Sequence, residues 1–292
     1  MSDEKRGYER KPLEEMNVID DFLFEEIMSD RELGEKACRI ILSCVLKRNI
    51  EKIRFVAQRA VPGVTESSHG ICLDTYVEET EGGDDGSVIN VFDIEPDKQS
   101  DKKKSLPKRS RYYADLIDTQ ILKTGADYER LPELITIFIL SYDPFGENAM
   151  YYEAESILKT HPQVPYNDGV RRIFLYVKGK LPERAEKEDR HIQNLLRYIN
   201  ESREENVTDE NTRDLDQIVK QTKANPNIGV RYMKSWERDR MLREEGRKEG
   251  REEGRKEGQR EERANTEAER RRADMAEARV KELEALLKTA DT

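Results

Sequence analysis

Residues 134–142 read LITIFILSY, an uninterrupted apolar and β-branched run of strand length. A strand that is apolar on both faces has to lie inside a sheet, with helices covering each side. The surrounding chain supplies matching parts. IRFVAQRAV at 53–61, GICLDTYVEE at 70–79 and SVINVFDIE at 87–95 read as three strands. Pro62-Gly63 ends the first, and the turn cluster EGGDDG at 81–86 joins the other two. MYYEAESIL at 150–158 and RRIFLYVKG at 171–179 read as two further strands around an irregular THPQVPYNDGV. Asp20 or Asp21 caps a helix through FLFEEIMSDRELGEKACRIILSCVLK, where Phe24, Ile27 and Met28 share a face. Pro107 precedes a second helix, RSRYYADLIDTQILKTG, closed by Gly125. This order puts the first helix on one sheet face and makes the second the crossover into 134–142. The expected fold class is α/β, a mixed sheet flanked by helices.

The charges are unevenly placed. Residues 237–272 carry 25 charged side chains in 36 positions, 13 basic and 12 acidic. The rest of the chain therefore holds 39 basic and 50 acidic groups, about −11 of the net −10. A body with ordinary apolar runs is not a disordered chain, and an acidic body is not a basic nucleic-acid coat. Contact with nucleic acid would need a local patch or a metal site. No apolar run is long enough to span a bilayer, so no membrane partner is expected. The start, MSDEKRGYERKPLEEM, lacks the apolar core of a signal peptide. Cys38, Cys44 and Cys72 form no CxxC pair, so a reduced, cytoplasmic protein is expected.

The chain divides into a flexible N-terminus at 1–17, a core at 18–180, a helical extension at 181–227 and one long charged helix at 228–292. The last contains EEGRKEGREEGRKEGQREE, with Gly246, Gly250, Gly254 and Gly258 four residues apart. Each glycine costs up to ~1 kcal/mol of helix propensity, which Glu-to-Arg/Lys pairs offset only in part. Further on, Ala276, Val280, Leu283 and Leu287 make a short seam that points to a homodimer through this helix. Trp236 reads as a packing anchor at its root. His69, His161 and His191 share no ligand spacing.

The chemistry concentrates on the strands at 70–95. A hairpin symmetric about EGGDDG places Asp74 opposite Asp93, with Glu95 on the same face as Asp93. Carboxylates gathered among Ile71, Leu73, Val91, Phe92 and Ile94 repel one another and resist burial. A divalent cation relieves both costs, and oxygen donors suit Mg²⁺ or Mn²⁺. Lys98 follows, placed to orient water or to meet negative charge on a phosphate. Lys102, Lys103, Lys104, Lys108, Arg109 and Arg111 then form a basic strip. Carboxylates that hold a metal beside cations that hold a backbone suit phosphodiester hydrolysis. Tyr112 and Tyr113 read as helix-packing groups rather than base-stacking platforms.

These residues carry a family resemblance. DDFLFEEIM, GICLDTY, VFDIEPDKQ, RSRYYADLIDTQILKTGADYERLPELITIFI, SYDPFG and IFLYVKG, in that order, resemble the recombination-promoting nuclease / putative transposase family of the PD-(D/E)XK superfamily. The resemblance covers 20–179, and a tail rich in EG repeats is also common in such proteins. It implies a restriction-endonuclease-like core, Mg²⁺-dependent DNA cleavage and a role in recombination. Asp74 matches the first metal-binding aspartate and Glu95 the acid of the (D/E)-x-K/Q motif. The third motif position, Lys or Gln in the family, is Asp97 here, followed by Lys98 and Gln99. Asp93 and Asp21 are further candidate metal ligands. The departure at Asp97 keeps open a second reading: a degraded nuclease fold that binds DNA or protein and oligomerises. An RNA-directed nuclease would share the same site.

Overall fold

The computed structural model describes residues 11–62, 71–81, 87–122 and 125–290. His69, the turn residues 82–86 and the side chains of Leu283 and Leu287 lie outside the described residues. The first helical run is two helices rather than one, α1 (Asp21–Ser29) and α2 (Arg31–Val45). Asp30 makes the break. Its backbone is extended, and its carboxylate accepts from the amides of Glu32 and Leu33, both at 3.0 Å. A short acidic side chain competes for helix amides in this way and ends one helix while capping the next.

Strands β1 (Ile53–Val61), β2 (Ile71–Glu81) and β3 (Ser87–Asp97) follow. A 3₁₀ turn at Ser100–Ser105 then leads into α3 (Leu106–Ile121). Pro107 sits inside the first turn of α3, where its missing N–H costs nothing. β4 (Glu133–Leu140), β5 (Tyr151–Ala154) and β6 (Val170–Tyr176) complete a six-stranded sheet in the order β1-β2-β3-β4-β6-β5. The β3, β4 and β6 strands run parallel, and the outer pairs are antiparallel. β4 is central and buried from Leu134 to Leu140, as its apolar run requires. α3 is the crossover from β3 to β4.

Alternation along the parallel strands divides the core. Phe92, Ile94, Ile135, Ile137 and Ile139 pack with residues of α1 and α2. The opposite face carries Val91, Leu134 and Phe138, covered by Leu106, Ala114 and Ile117 of α3. α4 (Lys187–Asn200) and α5 (Glu210–Ala224) contribute Leu195, Tyr198 and Leu215 to the first of these cores. The 181–227 segment is thus part of the same core as the sheet, and so are Leu13 and Met16 of the N-terminal stretch. The last helix, α6 (Pro226–Ala290), begins with Ile228 and Tyr232 buried in that core. The chain divides at Tyr232/Met233 into two units. The second is helical through residue 290, with Ser235 and Trp236 half-buried and the other described side chains exposed through residue 280.

Ile137 is fully buried at the centre of β4. Ile137→Ala is expected to remove about 2–5 kcal/mol of stability, read from the urea midpoint at unchanged slope.

Candidate active site

Three carboxyls meet where β2 and β3 lie side by side, but not in the expected register. Next to the turn, Glu81 pairs with Ser87, and a bulge between Glu79 and Thr80 shifts the ladder by one residue. Asp93 therefore faces Tyr76, not Asp74. The off-centre turn and the bulge together displace the strands by two residues, which preserves facing. Asp74 lies beyond the paired stretch, and its amide donates to Glu95 Oε1 at 2.9 Å.

The three differ in surroundings. Asp74 is half-buried, Glu95 is buried, and Asp93 is wholly inaccessible. Both Asp93 oxygens meet no hydrogen-bond donor, and neither does the hydroxyl of Thr136, its neighbour on β4. The Glu95 carboxyl can bond Asp93 when one of the pair holds a proton. Burial raises the pKa of Asp93, and the Asp74 charge adds to it. Burial likewise pushes Glu95 well up, with Asp93 and Asp74 contributing. Asp74 is pushed up to about 6 by burial, then by Asp21 and Glu25, with Arg109 opposing. Desolvation and like charge both favour the neutral acid.

Asp97 stands on the same face of β3 and is also buried. Its carboxylate accepts from the Gln99 amide at 2.7 Å and the Tyr142 hydroxyl at 3.2 Å, and it pairs with the Arg109 guanidinium. Lys98 points elsewhere. Its ammonium lies 2.5 Å from Asp20 Oδ1, and Lys11 holds Oδ2 of the same carboxylate at 2.5 Å. Asp20 also accepts the Asn17 amide, and its pKa falls although burial alone would raise it. Asp21 stands close enough to raise Asp74; its own pKa is raised by burial against the pull of Lys98.

The basic strip separates in the same way. Lys102, Lys104, Lys108 and Arg111 are exposed, and Lys103 is half-buried on the 3₁₀ turn. Arg109, expected with them as a DNA contact, instead turns toward the carboxylates. The Gln99 side chain is exposed. His191 bonds Asp209 at the start of α5, and Arg240 stacks over Trp236 on α6. Tyr113 packs against Phe138. Tyr142 and Thr136 were not separable from background in the sequence as parts of one site, because each arrives from a different element, whereas Arg109 reads there as a DNA contact rather than as the partner of Asp97.

Among the described residues no three His, Cys, Asp or Glu side chains converge into a ready metal cage. Carboxylates of which Asp93 has no donor on either oxygen and Glu95 is held by a single amide fit an ion that keeps several waters better than they fit a closed site. No helix of the described residues is long and apolar enough to cross a membrane.

The six-stranded mixed sheet with its bulged β2–β3 pair and clustered carboxyls defines an α/β fold of the PD-(D/E)XK type. A family model, PD-(D/E)XK nuclease family transposase, matches residues 18–254. The chain belongs to that family. No curated protein and no solved structure matches it.

Proposed function

We propose that this site hydrolyses DNA phosphodiesters with Mg²⁺ or Mn²⁺, as an endonuclease acting in recombination or transposition. The carrying observation is the Asp74–Asp93–Glu95 group, with Asp93 and Glu95 buried, Asp74 half-buried, and no donor for the Asp93 oxygens other than a protonated Glu95. Folding such a group has a cost that only a cation or protons remove. Asp74 and Glu95 would hold the ion, with Asp93 behind them and Asp21 at the margin. A bound divalent ion supplies an acidified water and charge neutralisation at the phosphate. The protein's own groups do the rest. The Asp74 amide fixes the Glu95 carboxylate, and Asp97 holds Arg109 in place. The exposed Lys102, Lys104, Lys108 and Arg111 would bind the DNA backbone. Gln99 and Lys98 are the remaining candidates for orienting water, although Lys98 is engaged by Asp20. A second copy of the chain, joined through the 276–287 seam, is the proposed protein partner, and the cytoplasm is the proposed compartment.

The test is relaxation of supercoiled plasmid in Mg²⁺ or Mn²⁺, comparing the wild type with Asp74→Ala and Glu95→Ala. For the basic strip, Lys102→Glu with Lys104→Glu is expected to weaken duplex binding at every sequence tried. It should also flatten the slope of log K against log salt by about 2, since about two phosphate contacts are lost. An unchanged slope would remove the strip from the interface.

One observation favours a second reading. With Asp97 at the third motif position and Lys98 bound to Asp20, the motif itself brings no free lysine to Asp74 and Glu95. A nuclease fold that only binds DNA or protein would look the same. Folded wild type that leaves plasmid intact in both metals would favour it.

A further inference from the structure

We propose that Arg109 is the cation of this site, taking the place that the motif lysine holds elsewhere in the family, and that Asp97, Tyr142 and Phe138 are the positioning residues that hold it there. The inference rests on the hydrolytic reading above and deepens it.

Asp97 is the starting point. A buried carboxylate added to three others is costly unless a cation answers it. Its oxygens are filled by the Gln99 amide, the Tyr142 hydroxyl and Arg109 Nη2. Thus the residue that displaces the motif lysine recruits a cation from another element. That element is the first turn of α3, which lies on the sheet face carrying Val91, Phe138 and Leu140.

The location of the guanidinium follows from the sheet. Its Cζ lies over the Phe138 ring, 5.4 Å from the centroid. Phe138 is the β4 neighbour of Glu95, and Leu140 is the neighbour of Asp97. Arg109 therefore reaches along the carboxylate row, resting on an aromatic face that stabilises it without using its donors. Its Nε–H is buried and meets no acceptor. A planar fork can bond Asp97 with one N–H and keep others for an anionic oxygen, which an ammonium does less well. Arg109 is also the cation that opposes the raised pKa of both Asp74 and Asp93. The rival, Lys98, is spent on Asp20 at 2.5 Å.

The test uses the full-length chain as wild type, Glu95→Ala, Arg109→Lys, Arg109→Gln and the double variant Asp97→Lys with Arg109→Gln. Plasmid relaxation in Mn²⁺, Mn²⁺ affinity from thermal shift, and binding of a short duplex are read for each. Arg109→Gln is expected to slow relaxation about 100-fold, as for loss of one preorganised donor, with duplex binding nearly unchanged. Arg109→Lys should fall between the two. Because a fixed positive charge leaves the carboxylates, Mn²⁺ should bind about threefold or more tighter to Arg109→Gln. The double variant should recover about tenfold of the lost rate, since a lysine then stands at the third position.

A purely structural Arg109 would lower the melting temperature and weaken Mn²⁺ binding together, with no recovery in the double variant. That result overturns the proposal, as does Arg109→Gln relaxing plasmid at the wild-type rate. If the wild type itself relaxes nothing, hydrolysis fails while Arg109 is still decided by the metal titration. Tighter Mn²⁺ in Arg109→Gln then upholds its place at the carboxylates, and unchanged affinity removes it.

Discussion

Glu95→Ala and Asp74→Ala are each expected to leave supercoiled plasmid intact in Mg²⁺ or Mn²⁺, a loss of at least about 1,000-fold. Either change removes one of the two proposed ligands, a pair that has no spare member, because Asp93 is wholly buried and Asp97 is committed to Arg109. The same substitutions should not unfold the protein. Glu95 is buried, and burial with two neighbouring carboxylates pushes its pKa well up, so its side chain strains the fold at neutral pH. Its loss leaves no donor buried and bare, since the Asp74 amide is at the half-buried edge. Activity and stability should therefore move in opposite directions, a mark of residues kept for chemistry rather than for packing. Circular dichroism melting beside the plasmid assay checks both. Retained metal-dependent cleavage by either variant would take these residues out of the site.

Asp93→Asn is expected to stabilise the metal-free protein by about 2–4 kcal/mol at pH 8, with the gain shrinking toward pH 5. An acid whose pKa is higher in the folded state holds its proton more tightly there. Folding stability is then lost as pH rises from the ordinary carboxylate range through the folded value. Burial, with the Asp74 charge, pushes Asp93 from 3.8 up to about 8, so the window is about pH 4 to 8. Asparagine has no proton to lose and can donate to Glu95, so its curve should be flatter. Mn²⁺ should stabilise the wild type more at pH 8 than at pH 5, because the ligands must be deprotonated to bind. Melting curves of the two proteins that run parallel from pH 5 to 8 would show that Asp93 does not carry this cost.

How much of this was legible before the structure depends on the range of the interactions involved. LITIFILSY had to be a buried central strand, because no exposed position can hold an all-apolar run, and β4 lies between β3 and β6. IRFVAQRAV is β1 from Ile53 to Val61, bounded by local turn chemistry. The acidic pair Asp74 and Glu95, and the departure at Asp97, stand in the linear order of the motif. The break at Asp30 was hidden, because an aspartate inside a periodic apolar run matches a helical surface as well as a cap. The hairpin register was hidden too. A bulge between Glu79 and Thr80 changes which residues face each other without changing the pattern of the letters. The membership of α4 and α5 in the main core depends on which apolar faces meet across nearly 200 residues of chain.

The chain's own letters determined the α/β class, the family and the acidic end of β2 and β3, because periodicity and motif order act over short spans. Only the tertiary structure decided that Asp97 binds Arg109, that Lys98 turns to Asp20 and that Asp93 is buried with no donor but a protonated Glu95. Those facts depend on α3, α1 and β3 meeting at one point, and charge pairing across a fold has no counterpart in sequence spacing.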